Sequence, residues 1–238
     1  MDLAPVARRS VVDGAYDQLA SQILDGGLSP GAELPPERRL TEQLGVNRQA
    51  VREALQRLAQ DGLVTIQHGG ATRVTDFRQS GGLPLLPRLL LSEDGQLDLA
   101  VVRSVVEMRA CLAPDIARLA AERAQPVHLD RMRETAARMS DAQFSNAKRG
   151  LINLELWDAL ADGADNLAYR FALNSLKSCY EPFAEALAPS LREELNNAAG
   201  RNRLIAAVEQ RNGAAASKAA AKLLAPSTNA LTKLLEQL

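Results

Sequence analysis

Leu34-Pro35-Pro36-Glu37-Arg38-Arg39-Leu40 runs on through Gly45-Val46-Asn47 to Arg48-Gln49-Ala50-Val51-Arg52-Glu53-Ala54-Leu55. Val64-Thr65-Ile66-Gln67-His68-Gly69-Gly70-Ala71-Thr72-Arg73-Val74 follows shortly after. Leu40 and Leu44 form the apolar seam of a short helix, and Gly45 suits the left-handed position just past its end. Asn47 is a good N-cap, and the helix it opens turns Val51, Ala54, Leu55 and Leu58 inward. The opposite face of that helix carries Arg48, Gln49, Arg52 and Gln56. After Asp61-Gly62 the period changes from helical to alternating. Val64 and Ile66 then pair with Thr72 and Val74 across a His68-Gly69-Gly70 tip, which predicts a hairpin. Upstream, Val11, Val12, Ala15, Tyr16, Leu19, Ala20, Ile23 and Leu24 share one face of an amphipathic helix that Gly26, Gly27, Pro30 and Gly31 end.

Two short helices, the second with arginines at its start, followed by a Gly-tipped hairpin describe a winged helix–turn–helix. That unit places one helix in the major groove of DNA and a wing beside it. An arginine there can meet guanine through two hydrogen bonds, and a glutamine can meet adenine. A winged module used for protein contacts is the alternative, but the arginines sit where groove contacts require them. Residues 1–78 hold nine basic against ten acidic side chains, whereas residues 38–57 hold five arginines against two glutamates. The positive charge is therefore local, enough for salt-dependent phosphate contacts but not for strong non-specific affinity.

A chain of 238 residues leaves room for a second core beyond such a reader. The expected organisation is a reader over 1–78, a linker over 79–84 that includes Gln79-Ser80-Gly81-Gly82, and a helical domain over 85–238. Leu99, Val102, Val105, Val106, Arg109, Leu112, Ile116 and Leu119 describe a long amphipathic helix with one arginine on its inner face. Further helices are predicted over 128–140, 146–163, 166–187, 190–211 and 213–236. Gln125-Pro126, Gly150, Asp165, Pro189 and Asn212-Gly213 are the expected interruptions, with Gly163 and Gly200 as helix stops or bends. The Ala-rich segment 214–221 reads as a close-packing helix face. The fold class expected is mainly α: a winged helix–turn–helix with a small β-hairpin, then an all-α antiparallel helical bundle. Cys111 and Cys179 lack CxxC spacing and read as reduced core residues. No basic segment followed by an apolar run opens the sequence and no stretch approaches a membrane span, so a cytoplasmic location away from membranes is expected.

The run Leu34-Pro35-x-Glu37-Arg38-x-Leu40, then Gly45-Val46-x-Arg48-x-x-Val51-Arg52-Glu53-Ala54-Leu55, resembles the reader of the GntR family. Leu58-Ala59-x-Asp61-Gly62, Thr65-Ile66-Gln67-His68-Gly69, Thr72-x-Val74, Phe77 and Ser80-Gly81-Gly82-Leu83 are similar to its FadR branch of fatty acid regulators. The likeness is strong over residues 15–90 and patchy beyond. It continues in Val105-Val106-Glu107-Met108-Arg109, Leu119-Ala120-Ala121-Glu122-Arg123, Asn166-x-x-Tyr169 and Leu173-Asn174-x-Leu176-Lys177-x-x-Tyr180. The resemblance implies a homodimer on a palindromic double-stranded operator, repressing or activating transcription. It implies base reading by Arg48 and Arg52, a backbone or base contact by Arg38, and entry of His68 and Gly69 into the minor groove. Asn47 and Gln49 stand where the branch has threonines, which shifts the expected operator sequence.

The resemblance further implies release from DNA by a long-chain acyl-CoA held in the bundle. Arg109 and Tyr180 carry over to that role, and so does Thr228, while Ala225 and Thr232 replace a glycine and a tryptophan. Arg109 points inward by periodicity, so either an acidic partner within the bundle or an anionic ligand must meet it. Tyr180 reads as a core residue or as a ligand contact. Many related proteins hold a divalent metal through an aspartate and three histidines. Here those places fall at Asn153, Trp157, near Arg201 and near Pro226, and the only histidines are His68 and His128, so no metal or other cofactor is expected. A sensor of a different organic acid or small metabolite is the alternative. An enzyme is disfavoured, because there is no nucleophile–histidine constellation, no Gly-rich phosphate loop after a strand and no recognisable acid pair.

Overall fold

A computed structural model describes residues 11–67, 70–91 and 95–237. The chain divides into two units, Met1–Gln96 and Leu97–Leu238. In the first, α1 (Val11–Leu24), α2 (Glu37–Leu44) and α3 (Arg48–Gln60) precede the antiparallel hairpin of β1 (Val64–Ile66) and β2 (Thr72–Val74). Its register is Val64↔Val74, Thr65↔Arg73 and Ile66↔Thr72, the pairing that the alternation predicts. Val64 and Val74 are buried and Ile66 is exposed, so only the base of the wing joins a core that includes Tyr16, Leu34, Val51 and Leu58. The tight turn between α2 and α3 follows from two side chains. Gly45 takes φ 65°, a left-handed conformation that costs glycine little. Asn47 Oδ1 accepts the Ala50 N–H at 2.8 Å and caps α3.

Two short helices follow, α4 (Phe77–Ser80) and α5 (Leu86–Leu89), joined through a 3₁₀ turn at Leu83–Leu85. Leu85 is buried in the core of the reader, and Leu89 packs against that core. Arg88 reaches α1, with Nη1 2.7 Å from the Asp17 carboxylate and its guanidinium 4.6 Å above the Tyr16 ring. The boundary expected over 79–84 is therefore corrected: the first unit extends to Gln96. Gly81-Gly82 is extended, and apolar and cationic contacts past it hold the segment to the reader.

The second unit is a bundle of α6 (Leu99–Arg123), α7 (Pro126–Met139), α8 (Asn146–Ala164), α9 (Leu167–Tyr180), α10 (Ala184–Asn196), α11 (Ala198–Glu209) and α12 (Gly213–Gln237). The long helices α6 and α12 pack side by side, and α8 lies against α6, α7 and α10. Ala113, Ala117 and Ala120 of α6 and Ala216 and Ala220 of α12 are buried in one core, which bears out the reading of the Ala-rich segment as a packing face. Several helix starts carry side-chain caps: Asp98 takes the Ala100 N–H at 2.9 Å, and Asn166 takes the Ala168 N–H at 3.1 Å.

Two expected interruptions are corrected. Pro189 lies inside α10, and the helices predicted over 166–187 and 190–211 break instead at the 3₁₀ turn Glu181–Phe183 and at Asn197. Pro182 has no N–H to continue the ladder, so the turn there tightens, and Asn197 caps the next helix by accepting the Gly200 N–H at 2.8 Å. Gly150 and Gly163 are interior to α8, which ends on Asp165 in the left-handed conformation. A methyl group at Gly150 would overlap the Tyr180 hydroxyl, and one at Gly163 would press on Ala124. These glycines serve close packing rather than helix termination.

Candidate nucleic-acid interface and effector site

Because α3 buries Ala50, Val51, Ala54, Leu55 and Leu58, its helical period turns Arg48, Gln49, Arg52 and Gln56 outward, and all four are exposed. Asn47 is also exposed, and its carbonyl oxygen serves as the cap. The two arginines converge on α2. Arg48 Nε lies 3.0 Å from one oxygen of Glu37, and Arg52 Nε lies 3.6 Å from the other. Glu37 thus holds both guanidiniums by the Nε edge. It stands in the first turn of α2, where a carboxylate also suits the helix dipole. Arg38 pairs with Glu42 at 3.1 Å while its side chain stays 88 % exposed, so solvent weakens that pair and leaves the cation available. Gln49 donates to Glu53 at 2.6 Å. His68 and Gly69, expected at the wing tip, lie outside the described residues.

In the bundle, Arg109 Nη2 lies 2.6 and 2.7 Å from the two oxygens of Glu194, and Arg109 Nη1 lies 3.2 Å from Ser227 Oγ. The Ser227 hydroxyl is in hydrogen-bond contact with the same carboxylate. Asn153 Nδ2 approaches it at 3.3 Å. Glu194 is only 2 % exposed. The acidic partner that the sequence leaves open to Arg109 is present, as Glu194. Desolvating a carboxylate this fully is costly unless a cation and hydrogen-bond donors surround it, and here they do.

Tyr180 packs against the apolar cluster of Val106, Met139, Ile152, Leu191, Leu195 and Leu231. Its hydroxyl is buried without a hydrogen-bond partner among the described residues, as is that of Thr228. Burial, reinforced by Glu194, pushes the Tyr180 pKa up. Arg201 is 2 % exposed, with Nη1 donating to the Leu195 carbonyl at 2.7 Å and Nε without a partner. Burial and the nearby Arg149 draw the Arg201 pKa down, and Glu194 opposes this. The places that the resemblance assigns to metal ligands thus hold an amide and an indole, with a buried guanidinium at Arg201 near the third and Pro226 near the fourth. Among the described residues no group of three or more His, Cys, Asp or Glu is placed to hold a metal ion.

The sequence did not single out Glu37, Glu194, Arg201 or Ser227 as site residues. Glu194 carried a signal, since it falls on the apolar face of α10 with Ala184, Ala188, Leu191 and Leu195. An acid on such a stripe needs a cation inside the fold. Glu37 was legible only as part of a motif, because nothing in a one-dimensional spacing reveals that two arginines on the next helix fold back to it.

A winged helix–turn–helix joined to a helical bundle with a buried polar centre defines a ligand-responsive DNA-binding regulator. Residues 12–74 match the model of the bacterial regulatory proteins of the gntR family, and residues 104–225 match the FCD domain. The chain belongs to the GntR family, as a transcription regulator whose ligand-binding part is an FCD domain. It is 39 % identical to the HTH-type transcriptional regulator Mce2R of Mycobacterium tuberculosis, over 99 % of this chain and 97 % of that one. It is 32 % identical to the fatty acid metabolism regulator protein of Cronobacter sakazakii, over 70 % of this chain and 67 % of that one. In fold it is similar to Lar, which controls expression of the Listeria monocytogenes agr system, with TM-score 0.55, 14 % identity and coverage of 98 % and 100 % of the two chains. The named relatives are regulators and not enzymes.

Proposed function

We propose that this protein binds a palindromic operator as a homodimer and governs genes of fatty acid metabolism, with release from DNA when long-chain acyl-CoA occupies the bundle. The observation that carries the DNA half is the exposed row of Arg48, Gln49 and Arg52 along α3. Two-fold symmetry pairs such helices with two half-sites, hence a palindrome. Relatives named fatty acid metabolism regulator support the metabolic assignment. Arg109, Tyr180 and Thr228 are the effector residues in this reading. Ligand binding that favours a DNA-incompetent arrangement of the dimer lowers DNA affinity by the same factor that DNA lowers ligand affinity. The protein works without a metal or other cofactor, in the cytoplasm.

One observation favours a second reading of the effector. Arg109, Asn153 and Ser227 converge on a carboxylate in the free protein, a chemistry that suits an organic acid better than a thioester. Fluorescence anisotropy with a palindromic operator tests the proposal. Arg48→Ala and Arg52→Ala should each cost about 1–3 kcal/mol of discrimination between operator and scrambled duplex, and Gln43→Ala much less. Adding acyl-CoAs of increasing chain length should release the operator with affinity rising about 0.8 kcal/mol per buried methylene, while free CoA does little. Release by free acids alone would select the second reading, and equal small effects of all three substitutions would remove α3 as the reader.

A further inference from the structure

We infer that Glu194 is the resident occupant of a carboxylate receptor formed by Arg109, Asn153 and Ser227, and that an acid effector enters by displacing the Glu194 carboxylate toward Arg201. The inference rests on the second effector reading above. Its first support is the donor set. A guanidinium meeting both oxygens of Glu194, an amide and a hydroxyl surround one carboxylate that is itself almost fully buried. Nothing in that set distinguishes the side chain of Glu194 from the head of a small or fatty acid.

The second support is the destination. Arg201 is nearly inaccessible to solvent; Nη1 donates to the carbonyl of Leu195, the residue after Glu194, and Nε has no partner among the described residues. Arg149, on the adjacent α8, also has a buried Nε without a partner. Two buried guanidinium Nε–H groups thus go without an acceptor among the described residues while Glu194 sits on Arg109. Exchange satisfies both ends. The incoming carboxylate keeps Arg109 neutralised, and Glu194 neutralises a guanidinium that lacks an acid, so no buried charge is left unpaired. Glu194 stands near the end of α10, where Asn197 caps α11, so its movement bears on the junction of two helices.

Isothermal titration of the full-length protein with sodium octanoate, at constant ionic strength, tests this. Glu194→Gln keeps the side-chain volume but competes poorly for Arg109, so it should bind octanoate at least tenfold more tightly than the wild type. Adding Arg109→Met to Glu194→Gln should abolish that gain. Arg201→Met should weaken octanoate binding in the wild type, where Glu194 needs its second seat, and change it little in Glu194→Gln. Equal affinity of the wild type and Glu194→Gln, no binding by Glu194→Gln, or equal weakening by Arg201→Met in both backgrounds overturns the inference. Should Arg201→Met fail to fold, acetate decides it: acetate should raise the Tm of Glu194→Ala but not of the wild type, and a flat response in a folded Glu194→Ala overturns it. Operator release is read separately on the wild type. Octanoate that binds without releasing DNA leaves the receptor standing and removes the regulatory reading.

Discussion

Tyr180 and Gly150 show how single residues set the bundle. The Tyr180 hydroxyl is buried without a partner, and α8 offers it a glycine where any side chain would collide. A buried hydroxyl that makes no hydrogen bond has lost its water for no return. Tyr180→Phe should therefore leave stability unchanged or raise it by up to about 1 kcal/mol in urea denaturation. Gly150→Ala should cost about 1–3 kcal/mol by overpacking, and less in a Tyr180→Phe background because the overlapping atom is gone. A large loss from Tyr180→Phe alone would show that a bound water or ligand normally meets the hydroxyl. Arg109 makes the complementary point, since its ion pair neutralises a buried carboxylate whose removal would leave the guanidinium without an acid.

Between elements, α2 positions the exposed arginines of α3. Glu37 grips Arg48 and Arg52 by their Nε edges, which leaves the paired Nη groups of each for other partners. Exposed pairs of this kind add little stability, so Glu37→Gln should lower Tm only slightly. Its effect should appear in recognition instead. Removing a negative charge near phosphate raises affinity for any duplex, whereas loosening the arginines lowers the advantage of the operator over scrambled DNA. Anisotropy with both duplexes should show a reduced specificity ratio, and equal gains on both would reduce Glu37 to a charge. On the other side of the reader, Tyr16 lies between the guanidiniums of Arg57 and Arg88, each 4.6 Å from its ring centroid, and its hydroxyl donates to Asp61. Burial, followed by that hydrogen bond, raises the Tyr16 pKa. Arg88→Ala removes a cation–π contact and a partly exposed pair with Asp17, together about 1 kcal/mol. Amide exchange over residues 83–90 should then quicken more than exchange in α3, and uniform protection would show that Leu85 alone holds the segment.

At the scale of the molecule, two cores support two chemistries. The reader's core fixes the angle at which α3 presents its arginines, and the bundle's core encloses a charged centre. The donor set of that centre argues against a metal: Asn153 is engaged with Glu194, Trp157 is a core indole, and Arg201 brings a buried positive charge. Elemental analysis of purified protein should give no stoichiometric zinc, nickel or manganese, and a chelator should leave Tm unchanged. One equivalent of metal per chain would overturn this and reopen the bundle as a metal-assisted acid sensor.

What the sequence determined by itself was local. Gly45, Asn47, the inward period of α3 and the alternation of the hairpin act through neighbours a few residues away, so the reader's element order, the strand register and the exposed face were legible. The helical character of the rest was equally plain from its period. Tertiary structure decided what depends on long-range partners. Leu85 and Arg88 show that a glycine-rich stretch is a return toward the reader and not a domain boundary, because burial and a cation on an aromatic ring hold it there. Pro189 sits within a helix while the chain breaks at Pro182 and Asn197, since packing overrides a local breaker where the neighbouring turns are supported. The partner of Arg109 was a choice between acid and ligand that no spacing could make. The acid is supplied by α10, which brings the buried Glu194 to a partly buried arginine 85 positions away.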